Sequence, residues 1–324
     1  MSATETTSML QQHVAPEVIR IDDWPLPAVP HGPVASPHFV TAAGHAGRVL
    51  PPAVHDALID FGDRAPDAGA IVFRGAPIGS LPLTPASPTT ATTKDLVSEF
   101  VLLTVGRRLG QPVGYQPEHG GDLVQNLVPT ASSTDRQTST SSSVDLMFHT
   151  EAAFHPHRPR YLLLLCLRGN PEAVTTLSSV HEVVPRLPRS VVDVLFQQRF
   201  RTAVDESYLH GRSNVLGAPM AVLRGDRSRP AMVFDADLMV GVDEEAEAAL
   251  RRLADEVANH HTGLALEAGD LLVVDNDAAV HGRSPFRARF DGTDRWLQRS
   301  MVVADLAPSA GDLRGRVIVT DFGV

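Results

Sequence analysis

Asp270-Leu271-Leu272-Val273-Val274-Asp275, Ala279-Val280-His281-Gly282-Arg283-Ser284-Pro285-Phe286 and Asp291-Gly292-Thr293-Asp294-Arg295-Trp296-Leu297-Gln298-Arg299-Ser300-Met301-Val302-Val303-Ala304 follow one another near the C-terminus. Short apolar runs broken by glycine and charged turns read as strands of a β-rich unit. Working outward, residues 161–167 form an unbroken apolar run suited to a strand buried on both faces. Ala70-Ile71-Val72-Phe73-Arg74, closed by Gly75, reads as another strand. Helical spacing of apolar residues is confined to residues 51–61, 94–109 ahead of Gly110, 188–200 and 243–259. Strands gathered late in the chain with helices elsewhere point to a mostly β fold with helices (α+β), a sandwich or jelly roll decorated by helices. No internal repeat is visible.

The chain has 324 residues, 43% hydrophobic and 20% charged, which excludes global disorder and supplies material for a core. With 28 basic and 38 acidic residues the net charge is -10, against a nucleic-acid or anionic-membrane surface and compatible with a cationic substrate. A single cysteine, Cys166, excludes an internal disulfide and any cysteine-built zinc or iron–sulfur centre, and fits a reducing cytoplasm. The N-terminus lacks a charged region followed by an apolar one, and no apolar run approaches the roughly 20 residues of a spanning helix. The chain therefore reads as unsecreted and cytoplasmic. Small polar residues and prolines predict a frayed segment over residues 1–22, followed by a single domain over 23–324. Within it, residues 131–143 form a Ser/Thr-rich loop directly before a histidine cluster, a candidate lid. No heptad or apolar interface patch marks an oligomer.

That cluster is Phe148-His149-Thr150-Glu151-Ala152-Ala153-Phe154-His155-Pro156-His157. In an extended backbone His149 and Glu151 share a face, so an imidazole and a carboxylate can meet one divalent ion. His281 would sit at a strand end after Asp275-Asn276-Asp277. Two histidines and a carboxylate with open positions are the facial set of non-haem Fe(II) oxygenases. Arg295 and Arg299, four apart on a strand, share a face, and each guanidinium can hold a carboxylate by paired hydrogen bonds. Asp235 and Asp237 can present parallel carboxylates to a guanidinium or ammonium, or form a solvent-facing turn or helix cap. His155 and His157 leave open a zinc hydrolase site with His149, which would leave the paired arginines unexplained. A non-catalytic jelly-roll binding module is a further alternative.

On Gln125-Asn126-Leu127-Val128-Pro129, His149 through His157, residues 161–168, Thr175-Thr176-Leu177 and the block from Val280 to Arg299, the chain resembles the clavaminate synthase-like Fe(II)/2-oxoglutarate oxygenases. Within them it resembles the free amino-acid β-hydroxylases, whose carboxylate ligand is glutamate where the wider superfamily uses aspartate. The resemblance spans residues 125–305 and implies a double-stranded β-helix (jelly-roll) core with an N-terminal helical elaboration. It implies that His149, Glu151 and His281 ligate Fe(II), with 2-oxoglutarate and O2 as co-substrates. Arg295, helped by Thr176, would hold the distal carboxylate of 2-oxoglutarate, Thr175 being the adjacent choice. Arg299 would hold the substrate α-carboxylate, Gln125 the α-amino group, and Asp235 and Asp237 a cationic side chain. The implied reaction is hydroxylation at C3 or C4 of a free basic amino acid, arginine or a guanidino analogue such as enduracididine, with lysine the nearest alternative.

Overall fold

The computed structural model describes residues 14–64, 66–209 and 213–322. Its strands run in chain order β1 Glu17–Arg20, β2 Ala70–Arg74, β3 Gln111–Tyr115, β4 Gln125–Leu127, β5 Leu146–His149, β6 Tyr161–Arg168, β7 Thr175–Ser179 and β8 Phe200–Thr202. They continue with β9 Leu223–Arg224, β10 Ala231–Met232, β11 Met239–Gly241, β12 Thr262–Leu264, β13 Asp270–Asp275, β14 Ala279–Arg283, β15 Trp296–Val303, β16 Leu313–Arg314 and β17 Val317–Ile318. The helices are α1 Pro37–Ala46, α2 Pro52–Asp63, α3 Val97–Leu109, α4 Val180–Val183, α5 Arg189–Leu195, α6 Glu206–Leu209 and α7 Glu244–Asn259.

Among the described residues, a nine-stranded sheet runs β1-β2-β13-β6-β15-β3-β17-β16, with β4 also paired to β15, and a four-stranded sheet runs β12-β7-β14-β5. The central strand β6 explains the layering. Successive side chains point to opposite faces, so Leu163, Leu165 and Leu167 pack with Val54, Leu58 and Phe61 of α2 and Val101, Leu102 and Val105 of α3. Leu162, Leu164 and Cys166 turn the other way and pack with Leu177 of β7 and Ala279 of β14, so the two sheets face each other. The far side of the small sheet is covered by Val194 and Leu195 of α5 and Leu250, Leu253 and Val257 of α7. Among the described residues no helix is long and apolar enough to cross a membrane.

Strands β2 and β6 and helices α2 and α7 match the expected segments, and Asp243 caps α7 by accepting from the Ala246 N–H at 2.9 Å. Two helices are shorter than expected. The helix placed at 188–200 ends at Leu195, because Phe200 is fully buried as the first residue of β8. The helix placed at 94–109 begins at Val97, since the Asp95 carboxylate accepts from the Val97 N–H and the Lys94 ammonium turns back onto Glu99 and Ser98. Residues 1–13 lie outside the described residues, but part of the segment expected to fray is ordered by pairing, since Glu17–Arg20 joins β2 as a parallel edge strand.

Leu163 is wholly buried on the helix-facing side of β6, away from the inter-sheet space. Leu163→Ala should lower unfolding stability in urea by about 2–5 kcal/mol and leave metal affinity of the folded protein unchanged.

Candidate active site

Antiparallel pairing of β5 with β14 sets His149 directly opposite His281, with ring centroids 4.3 Å apart. Close approach depends on Gly282, where a Cβ would lie 2.5 Å from the Leu146 carbonyl oxygen. Two residues past His149 the chain leaves the sheet, and its turn is pinned from both sides. Thr150 N–H donates to the Phe234 carbonyl (2.7 Å), and Glu151 N–H donates to Asn276 Oδ1 (2.8 Å). Asn276 Nδ2 donates in turn to the carbonyls of Glu151 (3.1 Å) and Pro159 (2.9 Å). Ala152 follows at φ 51°, left-handed backbone that a non-glycine residue holds only when its surroundings impose it. One ligand atom each of His149, Glu151 and His281 lies within 4.8 Å of the others.

The protonation states suit a metal. His149 Nδ1 is 2.8 Å from the Met147 carbonyl, which can only accept, so Nδ1 carries the proton and Nε2 a lone pair. Burial pushes the His281 imidazole down to about 4, so it is neutral at pH 7. Burial alone would raise the Glu151 carboxyl, but the Arg299 guanidinium overrides it and holds the group well below the usual carboxylate range. Glu151 Oε2 and His281 Nδ1 are buried without a hydrogen-bond partner. Two imidazoles and an ionised carboxylate with an unshared oxygen fit a divalent iron.

Strand β15 supplies the cations. Arg299 is fully enclosed. Its Nη1 donates to Glu151 Oε1 (2.9 Å), its Nη2 to Glu118, and its Nε and Nη2 to Gln125 Oε1 (3.0 and 2.5 Å). Gln125 therefore steers Arg299 from outside the cavity wall, with its oxygen already accepting twice, so the structure does not leave it facing a substrate amine as expected. Arg295 is as deeply buried, yet makes no hydrogen bond or ion pair with any described residue, and burial lowers its guanidinium to about 10. Arg283 lies beside it without an ion pair to any described carboxylate, lowered to about 9 by burial and by Arg295.

The threonine beside these cations is Thr175, not Thr176. Leu177 faces the space between the sheets, so with a period of two Thr175 does as well, while Thr176 points to the other face. Thr175 Oγ1 is buried and without a partner. Two buried guanidiniums with no acidic partner and a spare hydroxyl make a seat for an anion, since buried charge is normally compensated.

These groups line one cavity of about 320 Å³, floored by Leu127, Leu164 and Leu297 of the large sheet. Residues 137–140 of the polar loop border it, as do Asp205, Tyr208, Asp235 and Asp237. The two aspartates do not form the expected matched pair. Asp235 is buried, its Oδ1 accepting from the N–H groups of Asp237 (2.9 Å) and Leu238 (2.8 Å), whereas Asp237 is exposed at the rim. His155 and His157 do not join the metal cluster. His155 is buried against Tyr115, its Nδ1 accepting from the His157 N–H at 2.9 Å, and His157 turns to Asp312. Glu118, Asn276 and Arg283 are the residues that sequence reasoning left unassigned, and Thr175 was its second choice beside Thr176.

A facial set of metal ligands beside an anion seat, between two facing sheets, defines a non-haem iron oxygenase. Residues 42–301 match the family described as taurine catabolism dioxygenase TauD, TfdA family, and the chain belongs to it. The chain is an Fe(II)/2-oxoglutarate-dependent oxygenase. It is 39% identical to an L-asparagine oxygenase of Streptomyces coelicolor over 90% of this chain and 88% of that protein. It is 36% identical to an L-lysine 3-hydroxylase of Catenulispora acidiphila over 90% and 84%. A solved asparagine oxygenase in complex with Fe(II), 2S,3S-3-hydroxyasparagine and succinate superposes with a TM-score of 0.84 at 37% identity, covering 90% of this chain and 92% of that one.

Asn276 touches no ligand atom but holds the Glu151 backbone at both its N–H and C=O. Asn276→Ala should weaken Mn(II) or Fe(II) binding roughly 10–100-fold in anaerobic calorimetry, with the circular dichroism spectrum unchanged.

Proposed function

We propose that the protein hydroxylates an unactivated C–H, at C3 or C4, of a free basic L-amino acid, and does so in a specialised-metabolite pathway in the cytoplasm. The observation that carries this reading is the pairing, in one cavity, of the His149–Glu151–His281 cluster with a pair of buried arginines lacking acidic partners. Iron, 2-oxoglutarate and O2 supply the oxidation, one oxygen atom entering the C–H bond and the other leaving with 2-oxoglutarate as succinate and CO2. The task of the chain is placement. Arg295 and Thr175 hold the distal carboxylate of the co-substrate. Arg299 offers its remaining Nη1 proton to the substrate α-carboxylate, and Glu118, buried on the cavity wall, accepts from the α-ammonium. The facing sheets support reading the core as a double-stranded β-helix, and the polar loop over 131–143 supports its reading as a lid.

Along the cavity lining, Asp205, Asp235 and Asp237 favour a cationic side chain. Arginine or a guanidino analogue such as enduracididine remains the first choice, with the acceptors divided between Asp235 Oδ2 and Asp237. Lysine is the second reading, favoured by Asp235 itself: with Oδ1 taken by two backbone N–H groups, it offers one free oxygen to a single ammonium.

Anaerobically loaded protein exposed to O2 should form succinate and a product 16 mass units heavier with arginine or lysine, against background with leucine. Turnover of asparagine alone would contradict a basic substrate. Asp235→Ala should raise KM for the basic amino acid by about tenfold or more, the loss of a charge-assisted hydrogen bond, with the affinity for 2-oxoglutarate little changed.

A further inference from the structure

Arg283 has two faces. Ala279, His281 and Arg283 alternate onto the inter-sheet side of β14, so the guanidinium lines the cavity next to Arg295 and Thr175. Its outer edge grips the polar loop: Nη1 donates to the Ser141 carbonyl at 2.8 Å and Nη2 to Ser141 Oγ at 2.9 Å, with Ser141 fully buried. The neighbouring Ser142 carbonyl accepts from the Phe286 N–H at 2.7 Å, so the end of this loop is clamped to the chain just beyond β14. From that clamp the chain runs back through Thr140, Ser139, Thr138 and Gln137, all on the cavity border. Away from Arg283, Gln137 ties the loop to the start of β5, its Nε2 donating to the Asp145 carbonyl (2.8 Å) and its Oε1 accepting from the Met147 N–H (3.1 Å), while Arg136 adds an exposed ion pair with Glu206 of a kind that contributes little.

Every hydrogen bond of the Arg283 guanidinium ends on an uncharged oxygen, of Ser141, Val144 or Ser284, while the adjacent charge is Arg295. Asp145 acts on it only at longer range. A buried cation beside a like charge, held by neutral acceptors and by the face of the Phe286 ring 5.0 Å away, is under-compensated. A carboxylate placed between Arg283, Arg295 and Thr175 relieves both cations and fixes the plane of the Arg283 fork, and with it the Ser141 anchor.

We propose that Arg283 is a positioning residue that couples occupancy of the co-substrate seat to the ordering of the 131–143 loop over the cavity. The coupling rests on 2-oxoglutarate being the dicarboxylate that fills the seat. It gives the order of events a structural cause: the loop settles once the co-substrate carboxylate is in place. The oxidant is then formed only under a closed cover.

Arg136 is the only lysine or arginine in residues 131–143, so trypsin reports directly on this loop. The Mn(II)-loaded protein is digested with and without saturating 2-oxoglutarate, cleavage after Arg136 is followed by mass, and affinity is measured separately by calorimetry. In the wild type 2-oxoglutarate should slow cleavage by about tenfold, within the range usual for coupled sites. Arg283→Lys keeps the charge but not the fork. It should bind 2-oxoglutarate within about tenfold of wild type, yet at saturation show protection of less than about threefold. Arg283→Met should lose both. A purely structural clamp would speed cleavage equally with and without the ligand, leaving the ratio as in wild type, and that result overturns the proposal. So does a wild-type loop cleaved equally fast whether or not bound 2-oxoglutarate is present. Failure of the wild type to bind 2-oxoglutarate in calorimetry would instead remove the functional reading itself, and the coupling with it.

Discussion

The Arg299 guanidinium lies between Glu118 and Glu151 with Gln125 against its edge, all of them buried. Without this cation, two carboxylates taken out of water would be driven toward their protonated forms. Glu118 is in fact raised, burial outweighing Arg299, while Glu151 is held ionised by Arg299. An ionised Glu151 is what makes the two histidines beside it a metal site. The same guanidinium thus sets the charge of Glu151 and also lines the cavity. Its strand, β15, is buried at every position and pairs with β6, β3 and β4, so Arg299 has little freedom to relax.

Four residues earlier, just before β15 and lining the same cavity, Arg295 meets no acid among the described residues. This asymmetry divides the cavity by charge. At one end a cation is matched by protein carboxylates. At the other end two cations wait on an outside anion. His149, Glu151 and His281, the residues that would hold a metal, line this same cavity.

Part of the cavity lining was legible in local spacing. His149 and Glu151 two apart and Arg295 and Arg299 four apart are local patterns, and they line one cavity with His281, which lies in the middle of β14 and not at a strand end as expected. The same period would have chosen Thr175 over Thr176, given Leu177 as an inward residue, and would have added Arg283 two residues past His281. Glu118 and Asn276 leave no such trace. Glu118 reaches Arg299 because Gly114 lets the loop at Gly121 pack against β3, where a Cβ would lie 2.0 Å from the Gly121 carbonyl oxygen, and Asn276 acts across 125 residues of chain. The Asp235–Asp237 pair shows the opposite error. Two residues apart on a strand they would share a face, but the chain turns there, and Asp235 spends one carboxylate oxygen capping that turn. Helix lengths failed where burial of one residue, Phe200, outweighed local spacing.

The unmatched charge of Arg295 is the point on which the account stands. It is tested by titrating 2-oxoglutarate and 2-oxobutyrate, which lacks the distal carboxylate, into Mn(II)-loaded wild type and Arg295→Met without oxygen. The wild type should prefer 2-oxoglutarate by about 100-fold or more, as expected for a buried charge-assisted pair, and Arg295→Met should bind the two ligands about equally. Retention of the wild-type preference in Arg295→Met would contradict the assignment of the seat.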